Sequence, residues 1–246
     1  RSSDKMGIIL GLQNSDHFER VSDVKMFYQL GQRVSQLTYN SQNRIASGST
    51  DRIDGGISDF GAAIVSAMNE VGMVVDVSHC GDRTTLDAFE LSTKPVLITH
   101  SNSRSLAPGH PRCKTDEAIT KMAAQGGVMG ITAVRNFVAN TEPTTLDSYI
   151  DHIDHVIKLT GIEHVGIGTD SDLNGYDDLP PAVNQALRSG YKDSYSFREK
   201  IDIEGMDHPK KMFDLTEGLL RRGYTDDQIR LILGGNFARV LAEVWG

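Results

Sequence analysis

Apolar positions along this chain fall into short runs and spaced stripes, and the two alternate. Six runs read as strands: 6–12 (MGIILGL), 34–40 (VSQLTYN), 73–79 (MVVDVSH), 95–100 (PVLITH), 128–134 (VMGITAV) and 164–170 (HVGIGTD). Stripes of helical period separate them. Residues 19–30 carry Val21, Val24, Phe27, Tyr28 and Leu30 on one side, with Gly31 as a stop. Ser58 can cap a helix to Val71, with Phe60, Ile64, Ala67, Met68 and Val71 spaced by three or four and Gly72 after them. Further helices are expected over 84–91, 115–125 and 206–222. The most amphipathic covers 145–159, where Leu146, Ile150, Ile153 and Ile157 recur. Thr225 to Gln228 is a capping box that opens a helix to about Leu233, and Gly234-Gly235 separates this from a last helix ending near Trp245. Residues 41–56 and 171–205 are rich in turn formers and read as long loops, a length often reserved for function.

Strands alternating with helices imply a parallel sheet, and near-continuous apolar strands imply burial on both faces. The choice is a doubly wound sheet or a (β/α)8 barrel. Polar residues end the strands: Gln13-Asn14, Tyr39-Asn40, His79, His100 and Asp170. Barrel enzymes build their sites from such C-terminal strand ends, whereas a doubly wound sheet gathers its site at one switch point. No phosphate-binding glycine motif follows the first strand. The expected fold is therefore a TIM-type barrel in a single domain over residues 1–246, with about six of its eight βα units present. Either two strands escape the pattern or two units precede Arg1.

Composition narrows the partners. The 246 residues carry 39% hydrophobic and 24% charged side chains, as in an ordinary globular protein. The net charge of −8 is dispersed, and no Lys/Arg patch suggests nucleic acid. No apolar run approaches the roughly 20 residues of a membrane span. Two cysteines, Cys80 and Cys113, form no framework and mildly favour a reducing compartment, here the cytoplasm.

The chemistry sits at the strand ends. His79 and His100 close successive strands joined through a helix, so the strands are expected to be parallel neighbours with both imidazoles converging. Imidazole is a common zinc ligand, and Asp170 further along the same rim could move a proton. His17 and His110 lie in loops that could approach the rim. Arg112 could clamp a carboxylate, although the residues alone slightly favour a surface ion pair. His152 and His155 fall between the apolar positions of their helix and read as a solvated face. Cys80 reads as packing, since alternation points it away from His79.

These stretches, taken in order, resemble the membrane (renal) dipeptidase family, an amidohydrolase-like metallopeptidase barrel, in its microbial branch. The resemblance rests on Gly11-Leu12-Gln13-Asn14, Leu37-Thr38-Tyr39-Asn40, Asp76-Val77-Ser78-His79, Thr99-His100-Ser101-Asn102, Pro111-Arg112 with Thr115-Asp116, Gly168-Thr169-Asp170-Ser171-Asp172 and Gly235-Asn236-Phe237-Ala238-Arg239-Val240. It implies a metal-dependent dipeptidase with one or two zinc ions and a zinc-activated water. It also implies His79 and His100 as metal ligands, Asp170 as the proton-transfer group, and Arg112 and Tyr39 as substrate-binding residues. Gln13 stands at the family's metal-bridging glutamate and Tyr39 at a substrate-contacting histidine. The family's HxD motif on its first strand is absent, in keeping with the strand count and with a missing N-terminal third. The expected partner is a small dipeptide, with no membrane segment and a homodimer left open. Two alternatives are an amidohydrolase-like enzyme for another amide, ester or lactone, and a degenerate, non-catalytic barrel.

Overall fold

The computed structural model describes residues 7–246 and has an α/β fold with parallel sheets. The first sheet orders β1 (Leu10–Leu12), β2 (Gln32–Gln36) and β3 (Val74–Asp76), and the second β4 (Ile98–Ser101), β5 (Met129–Ile131) and β6 (Val165–Ile167). All adjacent pairs are parallel. The sheets meet at a parallel bridge between Asp76 and Leu97. Here Val77 N–H donates to Leu97 O at 3.0 Å and Leu97 N–H to Val75 O at 2.9 Å. The strands that lead into His79 and His100 are thus neighbours, as expected from their helical crossover. All six expected strands form, each shorter than its apolar run. Met6, at the start of the first run, lies outside the described residues.

The helices follow their stripes. α1 is Val21–Gln29 and α2 is Asp59–Val71. Ser58 Oγ caps α2 by accepting from Gly61 N–H, and Gly72 closes it at φ 79°. That backbone is left-handed and open to glycine without a Cβ penalty. α3 (Asp82–Leu91), α4 (Asp116–Ala124), the short α5 (Arg135–Val138) and α6 (Leu146–Thr160) follow. α2, α3, α4 and α6 lay buried apolar residues against the strands in one continuous core. β1 is an edge strand, with Leu10 55% and Leu12 44% exposed.

Three expectations are corrected, and the break expected at Gly234-Gly235 is met. The segment 171–205 is not all loop. It contains α7 (Pro181–Ser189), which has no fully buried residue but lays the partly buried Leu187 against a small aromatic cluster. The helix expected from Met206 begins later, as α8 (Lys211–Arg221), because Pro209 disfavours helical backbone just before it. α9 (Asp226–Arg230) runs through a wide turn at Leu231–Gly235 into α10 (Asn236–Trp245), with non-helical backbone at Gly234. His152 is not solvated. It is fully buried with Tyr149, Ile153 and Val156 on the inner stripe of α6. It is accommodated because both ring nitrogens are used: Nδ1 accepts from Ser103 N–H at 3.1 Å and Nε2–H donates to Val138 O at 2.8 Å. His155, by contrast, is part-exposed beside Asp116.

The burial of His152 has a pH consequence. Burial lowers its pKa from 6.5 to about 4. The unfolded chain therefore binds a proton near pH 6.5 that the folded chain refuses until about pH 4. Stability is expected to fall as pH drops through that window, by on the order of 1 kcal/mol per pH unit for this group, and to level off below it. Buried His110, also lowered to about 4, acts in the same direction. Urea unfolding at pH 7, 5.5 and 4.5 should show the slope, and His152→Gln should flatten its share. An unchanged slope would contradict the assignment.

No helix among the described residues is long and apolar enough to cross a membrane.

Candidate metal centre

Among the described residues, one group of His, Cys, Asp and Glu side chains is placed to share an ion: His79, His100 and Asp170. One ligand atom from each lies within 4.8 Å of the others. The pair was legible from the strand ends, but the means of aiming it was not. β4 pairs with β5 at Ile98↔Met129 and then at Ser101↔Ile131, so β4 carries an extra residue. Such a bulge breaks strict alternation and re-aims a side chain, here at Thr99-His100. Gly130 and Gly168 make room for it. A Cβ at either would collide with the Thr99 carbonyl oxygen. Gly168→Ala is therefore expected to displace the bulge and His100 with it, lowering activity and metal retention by about tenfold or more. An alanine variant with unaltered metal affinity would refute that role.

The ring orientations follow from the outer partners. His79 Nδ1–H donates to Asn40 Oδ1 at 2.7 Å. Asn40 holds that position from left-handed backbone, φ 60°, which Asn tolerates better than most residues. Thr99 Oγ1 spends its single proton on Asp76 Oδ2 at 2.7 Å, so it accepts from His100 Nδ1–H at 2.8 Å. Asp76 Oδ1 is fixed in turn by Ser78 Oγ–H at 2.6 Å and by Ser78 and Thr99 N–H at 3.0 Å. Both Nδ1 atoms are thereby committed as donors, and both Nε2 atoms present lone pairs. Those two atoms face each other at 2.9 Å. Two lone pairs so placed repel unless a cation or proton lies against both. Nitrogens about 2.0–2.1 Å from one tetrahedral zinc lie about 3.3 Å apart, close to the observed separation. The donor set, two neutral imidazoles and a carboxylate, fits a divalent ion of borderline softness.

Electrostatics agree with neutral, ligating imidazoles. Burial, with the positive charges of Arg112 and Lys114 and the neighbouring His100 ring, holds His79 well below the ordinary histidine range. Burial also lowers His100, against the opposing pull of Asp170. Asp170 itself sits just beyond β6 at φ 52°, where Tyr176 O–H donates to its carbonyl at 2.8 Å.

Arg112 departs from the sequence expectation. It is not in a surface ion pair but fully buried, the largest of the wholly buried side chains. Its Nη2 donates to His100 O at 3.0 Å and its Nη1 to Ser78 O. Phe137 faces the guanidinium at 5.3 Å. The site needs this brace because both strand ends turn their carbonyls inward, where water cannot satisfy them. Tyr39 stacks on His79 with ring centroids 4.1 Å apart and exchanges a hydrogen bond of 2.7 Å with Tyr191. Burial raises its phenol pKa. Gln13 is exposed at the rim and lines one cavity with Asp170 and Tyr39, while its carbonyl accepts from Gln36. His110 is buried behind Phe137 and donates to Tyr195 O at 3.0 Å. His17 is held at 3.1 Å by Gln32 Oε1 and Asn14 O. Cys80 is packed and free, accepting from Thr38 Oγ1 at 3.3 Å.

Sequence reasoning assigned no role to Asn40, Thr99 or the aromatic roof of Tyr191, Tyr195 and Phe197. The first two lie beside marked residues. The roof comes from the weakly patterned 171–205 segment, where only the density of aromatic residues hinted at packing.

The chain matches the family model described as membrane dipeptidase (peptidase family M19) over residues 1–189 and 196–245. It is 31% identical over 245 residues to dipeptidase verJ of Clonostachys rogersoniana, with 98% of this chain and 56% of that protein covered. The chain spans about half the length of the curated relatives it matches. Its structure is similar to that of an amidohydrolase from Pseudomonas aeruginosa, with a TM-score of 0.84, 34% identity, and 96% of this chain and 72% of that chain covered. A metallo peptidase from Rhodobacter sphaeroides, solved with a phosphinate mimic of the dipeptide L-Ala-D-Ala, shares the fold at a TM-score of 0.77 and 19% identity, over 96% of this chain and 63% of that one.

Proposed function

This chain belongs to the membrane dipeptidase family, peptidase family M19, and from that premise we propose that the whole protein is a zinc-dependent dipeptidase. The observation that carries the reading is the pair of facing Nε2 atoms at 2.9 Å with both Nδ1 atoms committed elsewhere. His79 and His100 hold the ion, with Gln13 as a neutral contact at the rim. A neutral amide bridges two cations less well than a carboxylate, so one tightly held ion is expected at this pair. A bound divalent ion supplies positive charge that lowers the pKa of a water and polarises a carbonyl. Asp170 takes the proton of the attacking water as the C–O bond forms and returns it to the leaving amine as the C–N bond breaks. Tyr39 orients substrate from its stack on His79. Arg112 draws the substrate carboxylate by charge, since its two terminal nitrogens already brace the strand ends.

The six strands form the greater part of a (β/α)8 barrel on this reading, with the rim of C-terminal strand ends as its active face. Two free, buried thiols, Cys80 and Cys113, support a reducing compartment such as the cytoplasm.

The test is hydrolysis of a dipeptide panel by the zinc- or cobalt-loaded whole protein, with simple esters and lactones in parallel. Dipeptide turnover above ester and lactone turnover is expected. Preferred turnover of an ester or lactone would move the assignment to the wider amidohydrolase class, and no turnover at all would favour a degenerate barrel.

A further inference from the structure

The turn that carries His79 leaves β3 with four consecutive carbonyls, Val77 to Cys80, and each accepts from a donor outside the turn. Ser49 N–H donates to His79 O at 2.9 Å, and Arg112 takes Ser78 O. Lys114 takes the other two: its Nζ donates to Val77 O at 2.7 Å and to Cys80 O at 2.9 Å. A third bond of 2.9 Å reaches Thr85 Oγ1 near the start of α3. Thr85 spends its own proton on Gly81 O at 2.7 Å, so toward the lysine it can only accept. Three acceptors thus meet the three N–H bonds of an ammonium, with none left over. Burial lowers the Lys114 pKa to about 8, which leaves the amine protonated at neutral pH.

Lys114 is 1% exposed and its three partners are neutral, an arrangement that forgoes much of the hydration of a cation. Its main chain shows what the arrangement joins. Lys114 pairs in parallel with Ser103, where Lys114 N–H donates to Asn102 O and Arg104 N–H to Lys114 O, both at 2.8 Å. Asn102 and Ser103 continue the chain just past His100. The backbone of Lys114 is therefore fixed to the His100 strand and its side chain to the His79 turn. Arg112, two residues earlier, spans the same gap between Ser78 O and His100 O. One brace alone would let the turn pivot about it, and the second removes that freedom.

Resting on the metal reading of His79 and His100, we propose that Lys114 is a positioning residue for the metal centre. It fixes the turn that carries His79 against the strand that carries His100, and so sets the 2.9 Å approach of the two Nε2 atoms. Asn40 and Tyr39 orient the His79 ring, but they do not anchor the main chain that bears it. Without Lys114, the Val77 and Cys80 carbonyls lose their buried donor and the turn opens toward water to satisfy them. His79 Nε2 is then drawn away from an ion that His100 also holds.

Two readouts test the proposal on the whole protein: zinc affinity by competition with a chelating dye, and the His79 ring nitrogens by NMR of the metal-free protein. Lys114→Met keeps the apolar stem and removes all three donors. Its zinc affinity is expected to fall about tenfold or more. The His79 ring, an Nδ1–H tautomer in the unsubstituted protein, should average between tautomers in this variant. Lys114→Gln keeps two N–H donors on a shorter stem and should give intermediate values; it carries the comparison if the methionine variant does not fold. Val244→Ala removes packing from the cluster with Val74, Leu97 and Val128, at the opposite ends of the strands. It controls for lost stability alone, with zinc affinity expected within about threefold of the unsubstituted protein. An equal loss of zinc affinity in Val244→Ala and Lys114→Met, or His79 signals that do not move in Lys114→Met, overturns the proposal and leaves the metal reading intact. No zinc uptake by the unsubstituted protein would overturn the metal reading, and a tautomer shift in Lys114→Met would still uphold the brace.

Discussion

Asp170→Asn is expected to cut kcat on dipeptides by about 10²- to 10⁴-fold while leaving the fold intact. General acid–base groups contribute on that scale, and asparagine keeps the shape of aspartate while losing its basicity. The substitution is unusually clean at this position. Asp170 has left-handed backbone, φ 52°, and asparagine accepts that conformation as readily as aspartate. The hydrogen bond that holds the turn, from Tyr176 O–H to the Asp170 carbonyl, uses the main chain and survives the change. Alanine at the same position would add backbone strain of about 1 kcal/mol and blur the comparison. The check is steady-state kinetics beside thermal unfolding of the same sample. A kcat within tenfold of the unsubstituted protein would remove Asp170 from the proton transfer.

Arg112→Met is expected to cost about 3 kcal/mol of folding stability, apart from any effect on turnover. The guanidinium is wholly buried and bonded to the carbonyl oxygens of Ser78 and His100. Hydrogen bonds to a charged group are each worth about 1.5–3 kcal/mol, and a carbonyl left unpaired in the interior adds its own desolvation cost. Relief of the buried charge offsets part of the loss, which is why the figure stays near the value for one such bond. Arg112→Lys should recover only part, because a single ammonium does not span two carbonyls as a planar fork does. Denaturant unfolding at neutral pH measures both variants. A loss below about 1 kcal/mol for Arg112→Met would show that the carbonyls find other partners.

The sequence exposed the parallel strands because apolar runs buried on both faces are conspicuous, and it exposed His79, His100 and Asp170 because they end such runs. Features set by three-dimensional partners were not legible. The bulge at Thr99-His100 depends on Gly130 and Gly168, which approach the same carbonyl from two later segments. His152 looked solvated by its place between apolar residues. Its burial depends on Ser103 and Val138, which are distant in the chain and satisfy both ring nitrogens. Arg112 looked like a surface charge because its partners are backbone carbonyls, which carry no letter in a sequence. The roof from 171–205 lacked a legible period because its aromatic residues pack from irregular backbone, and α7 adds only the partly buried Leu187 to them.

The measurement that bears most directly on the proposal is metal content by elemental analysis, on protein purified without chelators and on the His79→Ala/His100→Ala variant. At least one zinc-class ion per chain is predicted for the unsubstituted protein, with its loss from a variant that remains folded. Equal metal in both proteins, or none in the unsubstituted protein even after zinc and cobalt are supplied, would contradict the assignment of the facing imidazoles as a metal site.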